Sequence, residues 1–258
     1  MQHALHERIA RGEEPETWIA VEHEPVITLG RNAQRANVLL PHDVLMARGI
    51  DLVEIERGGD VTYHGPGQLV VYPIRRLERF REVVPLVRSL EEAVIRTCAG
   101  FGIDGSRWSE HSGVWVGRNQ ICAIGLAIRQ MASLHGIAFN VSNDLDYDRI
   151  INPCGLTGRG LTSLSKEAQR HVSVHEAKSI LFNCFADVFN IEFLAIKQRS
   201  LNERSSAYIV PEEPPAFSQS TECQLPLVAA KKWRSRSGAG SEVRGASERN
   251  DMRSRAQA

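Results

Sequence analysis

The stretch Arg57-Gly58-Gly59-Asp60-Val61-Thr62-Tyr63-His64-Gly65-Pro66-Gly67-Gln68 sets four glycines, a proline, an arginine and a histidine within twelve residues. Glycine loses more backbone entropy on folding than any other residue. A chain that concentrates it either turns sharply there or lies against a ligand. Leu69-Val70-Val71-Tyr72 follows with strand character, so the segment is tethered to a sheet. Arg57 and His64 bring fixed and switchable positive charge to it. Two readings stand side by side: a binding loop and a structural turn between two strands.

Outward from this segment, strands and helices are mixed without a regular alternation. Residues 1–12 read as a short helix, and Trp18–His23 and Val26–Arg31 as strands around Glu24-Pro25. Leu52–Ile55 leads into the glycine segment as another strand. Leu86, Val87, Leu90, Ala93, Val94, Thr97, Cys98 and Phe101 recur at three- and four-residue spacing, which predicts a buried amphipathic helix. Gly113–Gly117 begins a hairpin, answered by Gln120–Ile128, and His135–Val141 is a further strand. A second helix is predicted from Val174 to about Phe189. The fold class expected is α/β (α+β), with mixed, largely antiparallel sheets and flanking helices. The catalytic domain is expected over 1–204. Residues 205–258, interrupted by Pro211, Pro214 and Pro215 and then rich in Ser, Arg, Gly and Ala, are expected to form a disordered tail.

The chain has 258 residues, 42% of them hydrophobic, and a formal net charge of zero. That suffices for one sizeable core and gives no global electrostatic argument for nucleic acid or membrane. No apolar run approaches a spanning helix, and the first residues lack the apolar core of a signal peptide. Five dispersed cysteines without CxxC spacing point to reduced thiols in a cytoplasm and away from disulfides or a zinc site.

Among the cysteines, Cys154 has the most unusual setting, Asn152-Pro153-Cys154-Gly155. Proline fixes the preceding backbone and glycine permits close approach, so the thiol can face a ligand with a backbone amide beside it for a developing oxyanion. A nucleophile and a buried structural thiol are both open on this context. Cys98 and Cys184 lie on apolar helix stripes, and Cys122 alternates within a strand. His64 has a constrained loop in its favour; His135 begins a strand.

Taken together, the glycine segment and the ordered blocks after it resemble the lipoyl(octanoyl) transferase family. The blocks are His23-Glu24-Pro25-Val26, Gly113-Val114-Trp115-Val116, Ala123-Ile124-Gly125, His135-Gly136-Ile137-Ala138-Phe139-Asn140, Asn152-Pro153-Cys154-Gly155 and Leu161-Thr162-Ser163-Leu164. The resemblance runs over about residues 4–195. It implies the fold shared with biotin-protein ligases and lipoate ligases. It implies transfer of an octanoyl or lipoyl group from acyl carrier protein to a lysine of lipoyl-domain proteins, such as the E2 subunits of 2-oxoacid dehydrogenases and the glycine cleavage H protein. By the same resemblance Cys154 carries the acyl group as a thioester. Arg57, Gly58, Gly59, Asp60, Val61, Thr62, Tyr63 and His64 line the acyl pocket. Ala123, Ile124, Gly125 and Gly136, Ile137, Ala138 complete its walls. No ATP, metal or cofactor is implied, because the incoming thioester is already activated.

The sequence departs from the family at two places. The family's lysine, which lowers the thiol pKa, is here Gln120. A thiol of ordinary pKa, about 8.5, is only a few per cent thiolate at neutral pH. Arg118, expected on the same strand face as Gln120, or His64 or His135, are the candidate replacements. The family also begins with a further strand ahead of the first helix, which this chain is expected to lack. Two competing readings remain: a catalytically impaired acyl- or lipoyl-domain-binding protein, and an ATP-dependent lipoate ligase.

Overall fold

In the computed structural model, residues 2–152, 160–193, 197–202 and 205–213 are described. The strands are β1 (Thr17–Glu22), β2 (Val26–Leu29), β3 (Asp51–Glu54), β4 (Val61–His64), β5 (Gln68–Ile74), β6 (Ser106–Arg107) and β7 (Gly113–Val116). They continue with β8 (Asn119–Arg129), β9 (Ala132–Asn140), β10 (Gly160–Leu161), β11 (Glu192–Phe193), β12 (Lys197–Asn202) and β13 (Ser205–Glu213). The helices are α1 (Gln2–Ala10), α2 (His42–Ala47), α3 (Val83–Gly100), α4 (Leu164–Glu167) and α5 (Val174–Phe189).

The strands form two sheets. The large one has the order β11-β13-β1-β5-β9-β8-β7-β6, with β10 beside β8 and β12 beside β13; the small one has the order β3-β2-β4. Pairing is antiparallel except for β2 with β3 and β8 with β10. This is the mixed, largely antiparallel architecture expected.

Helices α3 and α5 cover one face of the large sheet. Leu86, Leu90, Val94 and Cys98 of α3 meet Leu181 and Phe185 of α5 over Trp18, Leu69, Val71 and Phe139. The three- and four-residue spacing put these groups on one stripe, and their burial drives both helices onto the sheet. Helix α5 starts at Ser173, whose side chain accepts from Glu176 N, and stops at Asn190 in the left-handed conformation. Both are local sequence signals for helix ends. Burial pushes the thiol of Cys98 up to about 12 and that of Cys122 well above its ordinary value, so both are unreactive core groups.

On the opposite face, Ile19, Val21, Val70, Ala127 and Ala138 pack with Ile9 of α1. The small sheet has its own core behind it: Ile27, Leu29, Leu45, Val61, Tyr147 and Ile151. Its other face looks towards the large sheet across the site described below.

Three expectations are corrected. Residues 61–64 are not loop but strand β4, paired with β2 from Val26↔His64 to Leu29↔Val61. Three consecutive residues with strand propensity, Val61-Thr62-Tyr63, outweigh the glycines on either side. Arg118 is not on the strand of Gln120. It is exposed and lies with Gly117 (φ 56) in the two-residue turn between β7 and β8, so it does not share that strand face. The boundary at 204 falls inside the sheet, since β13 runs from Ser205 to Glu213 and pairs with β1 from Thr17↔Pro211 to Glu22↔Ser206. The run Tyr208-Ile209-Val210 has the composition of a strand, and Pro211 falls near its end.

Candidate acyl site

Between the two sheets lies a cavity of about 830 Å³. Strand alternation decides which side chains reach it. From the small sheet, Val26 and Thr28 of β2 and Thr62 and His64 of β4 face inward, with Val53 of β3. From the large sheet come Ile19 and Val21 of β1, Val70 and Tyr72 of β5, Ala138 of β9 and Ala123 of β8. Ala138 is the register partner of both Val70 and Ala123, so two methyl groups lie side by side on the cavity floor. Ile124 and Ile137, themselves paired, line another part of the cavity with Val83 and Val87 of α3.

Most residues expected at the site are brought together. Arg57, Gly58, Gly59, Asp60, Val61, Thr62, His64, Ala123, Ile124, Gly125, Gly136, Ile137 and Ala138 all line the cavity, and so does Gln120. Tyr63 does not. Its alternation within β4 turns it to the far side, where its ring stacks on Tyr147 at 4.7 Å. Cys154 lies outside the described residues.

The glycine segment is held against the edge of β8. Gly58 N donates to Leu126 O at 2.9 Å. A Cβ on Gly125 would come within 3.0 Å of Gly58 O and 3.4 Å of the Arg57 side chain. The small residue on β8 is therefore what lets the loop approach.

Arg57 is buried, and its guanidinium donates to Thr28 Oγ1, Thr28 O and Gly58 O at 2.7 to 3.1 Å. It fastens the loop to β2. Asp60, also at the cavity, anchors the other end of the same loop. Its carboxylate accepts from Gln34 N at 2.8 Å and from Asn37 Nδ2. Asn37 O in turn accepts from Asn152 N at 2.7 Å. The loop is thus tied to the residue that precedes Pro153-Cys154. On the far side, Gly160-Leu161 pairs with Asn119-Gln120, and Thr162 N donates to Gln120 O at 3.0 Å.

Polar groups line one wall, and burial keeps them uncharged. His64 is pushed down to about 3, first by desolvation and then by His23, with its hydrogen bond to Gln68 opposing. The switchable charge expected at His64 is therefore absent at neutral pH. His23, lowered by burial, has its Nε2 2.7 Å from Tyr72 Oη, and burial raises the Tyr72 phenol.

His135 is pushed down to about 4, chiefly by desolvation. It stands at φ 59, an unusual conformation within a strand, with Nε2 3.6 Å from a Glu56 carboxylate oxygen. Gln120 is 7% exposed, and among the described residues its amide has no hydrogen-bond partner.

Sequence reasoning missed Gln68, Asn140, Tyr72 and Asn37. Gln68 and Asn140 stood in the quoted blocks, but their side-chain partners come from strands far apart in the chain.

A small sheet laid over a large one, with an apolar cavity and buried histidines between them, makes a site of the size and character that hold a small molecule. The chain belongs to the family described as the lipoyl protein ligase A/B catalytic domain, whose profile matches residues 1–186. It is an acyltransferase of that family. It is 39% identical over 217 residues to an octanoyltransferase of Koribacter versatilis, covering 82% of this chain and 84% of the relative. An octanoyltransferase of Desulfotalea psychrophila is 45% identical over 182 residues, covering 69% of this chain and 81% of the relative. The fold is shared with lipoate-protein ligase A bound with ATP, at a TM-score of 0.63 and 22% identity over 74% of this chain and 81% of that one. It is also shared with Ta0514 of T. acidophilum, a putative lipoate protein ligase with bound lipoic acid, at a TM-score of 0.61 and 22% identity over 74% and 80%.

Proposed function

We propose that this chain moves an octanoyl or lipoyl group from the thioester of acyl carrier protein onto Cys154, and from there onto a lysine of a lipoyl-domain protein. The observation that carries the reading is the cavity: apolar along Ile19, Val21, Val70 and Ala138, and bounded by the glycine segment. A cavity of this size suits a small-molecule ligand. Six methylenes of an octanoyl chain, buried at about 0.8 kcal/mol each, contribute roughly 5 kcal/mol. That binding energy holds the acyl group while the head reacts.

The role of Cys154 is supported by its described flanks. Asn152 is tied to the glycine segment through Asn37 and Asp60, and Gly160-Leu161 returns beside Asn119-Gln120. Thiol attack on the incoming thioester releases the carrier's thiol, and lysine attack on the enzyme thioester forms the amide. Neither step needs ATP. The acceptors are the lipoyl domains of E2 subunits and the H protein, and the dispersed thiols suit a cytoplasmic location.

The second reading, a catalytically weak acyl- or lipoyl-domain-binding protein, is favoured by Gln120, a buried amide without a charge where the family has lysine. Intact-mass measurement after incubation with octanoyl-acyl carrier protein, without ATP, separates these readings. A gain of one octanoyl group that vanishes in Cys154→Ala is expected. An absent adduct leaves the binding reading. Lysine modification that survives Cys154→Ala and requires ATP points to a ligase.

A further inference from the structure

Positions 75–88 hold five arginines and two glutamates in a chain of zero formal net charge. The segment leaves β5, makes a short 3-10 turn at Phe80–Glu82 and enters α3. Two of its arginines are paired, Arg75 with Glu16 and Arg88 with the buried Glu91. Arg79 and Arg81 are exposed, and neither guanidinium has a partner among the described residues. Glu82 turns its carboxylate back to accept from Glu78 N at 3.0 Å.

Between these two cations lies Phe80, 71% exposed, and Val84, one turn on, is 65% exposed. Leu77 N donates to Met131 O at 2.7 Å, which sets the partly exposed Met131 of the β8–β9 turn beside the same segment. Single apolar residues on a surface are ordinary, but several gathered about one segment with free arginines mark an interaction site. The patch is continuous with the cavity. Val83, next to Val84 in α3, lines it with Val87, as do Ile124 and Leu126 of β8, the strand that runs into the Met131 turn.

The chemistry of the patch narrows the partner. Apolar side chains flanked by unpaired guanidinium groups complement an acidic protein surface. The acceptor of the proposed reaction brings a lysine, whose charge the arginines repel. The donor brings its acyl group on an arm joined to its protein through a phosphodiester, an anion that guanidinium groups bind well. A membrane fits less well, because the apolar stripe of α3 is buried in the core and only these few side chains face outward. We propose that the carrier protein of the acyl donor docks on this patch, with Phe80 and Val84 as its apolar contact and Arg79 and Arg81 facing its acidic groups, and that the lipoyl-domain acceptor does not. The inference rests on the donor named in the proposed function.

The test compares two donors on the full chain: octanoyl-acyl carrier protein, and octanoyl-pantetheine, which offers the thioester without the protein or the phosphate. Arg79→Glu/Arg81→Glu is expected to slow acylation by the carrier-bound donor about tenfold or more at low salt, within the range that surface charge contributes to encounter. The gap should close towards 1 M salt, where the screening length is about 3 Å. Phe80→Ser is expected to slow the same step about fivefold or more, the size of a truncated interface contact. Neither change should alter acylation by octanoyl-pantetheine or transfer from loaded enzyme to the lipoyl domain. Arg48→Glu, an exposed charge reversal elsewhere, should leave the carrier rate near that of the wild type. Equal losses on both donors, a loss confined to transfer to the lipoyl domain, or a loss as large in Arg48→Glu overturn the proposal. So do unchanged carrier rates in variants that no longer sediment with phosphatidylserine vesicles as the wild type does, which assigns the patch to a membrane. Binding of the unacylated carrier protein, followed by fluorescence anisotropy, keeps the two readings apart. A carrier that binds the wild type and not Arg79→Glu/Arg81→Glu, with no octanoyl adduct ever formed, refutes the acyl-cysteine step and leaves the docking standing.

Discussion

Replacing Ala138 by leucine tests the placement of the acyl chain on the cavity floor. Ala138 sits between Val70 and Ala123 in register, on the face opposite α3 and α5. The three carbons that leucine adds enter the cavity rather than the packed core, so little overpacking strain follows. They occupy the space of about three methylenes of the substrate. At about 0.8 kcal/mol each, that removes roughly 2.4 kcal/mol of binding from a chain long enough to reach them, or about fiftyfold. A butanoyl group is too short to lose as much. The measurement is kcat/KM for enzyme acylation with octanoyl- and butanoyl-pantetheine donors, which reports transition-state binding from free enzyme. The octanoyl-to-butanoyl ratio should fall by about fiftyfold, with the thermal midpoint little changed. Equal losses on both donors would falsify the chain's placement along β9, because they indicate a general distortion; so does an unchanged octanoyl rate.

Gln120→Lys should speed acylation at pH 7. A fall of one unit in the thiol pKa raises the thiolate fraction about eightfold, and its lower nucleophilicity takes back part of that, leaving roughly threefold; an unchanged rate shows that the amide already suffices. Glu91 is fully buried on α3, with its carboxylate on Arg88, Arg107 and Gly113 N at 2.7 to 3.2 Å. Because both arginines are partly solvated, Glu91→Ala should cost about 3 kcal/mol, the low end for a broken buried pair, and lower the melting midpoint by on the order of 10 °C; a shift of under about 2 °C contradicts the buried role. His64 and His135 titrate at about 3 and about 4 in the folded chain, below their unfolded value of about 6.5. The unfolded state therefore binds more protons between those values, and stability should drop by about 2 to 3 kcal/mol per pH unit on acidification from pH 6 to pH 5. Urea unfolding at the two pH values, repeated on the His64→Asn/His135→Asn variant, should show most of that slope lost; an unaltered slope assigns it to other groups.

The sequence carried the fold wherever burial is local. The α3 stripe and the α5 stripe, with Ser173 at one end and Asn190 at the other, are written in consecutive residues, and these helices formed where the spacing places them. Strand β4 was hidden because Gly58, Gly59, Gly65 and Gly67 crowd around four residues whose pairing partner, β2, lies more than thirty positions earlier. The same distance concealed the site's polar wiring. Gln68 and Asn140 are 72 positions apart and meet only because β5 and β9 are neighbours. Tyr63 was assigned to the pocket with the rest of its block, but a strand alternates, and a block of neighbours cannot all face one side. What remained legible at the cavity was its small-residue floor, since Ala123, Gly125, Gly136 and Ala138 are small for reasons of close approach that composition already suggests.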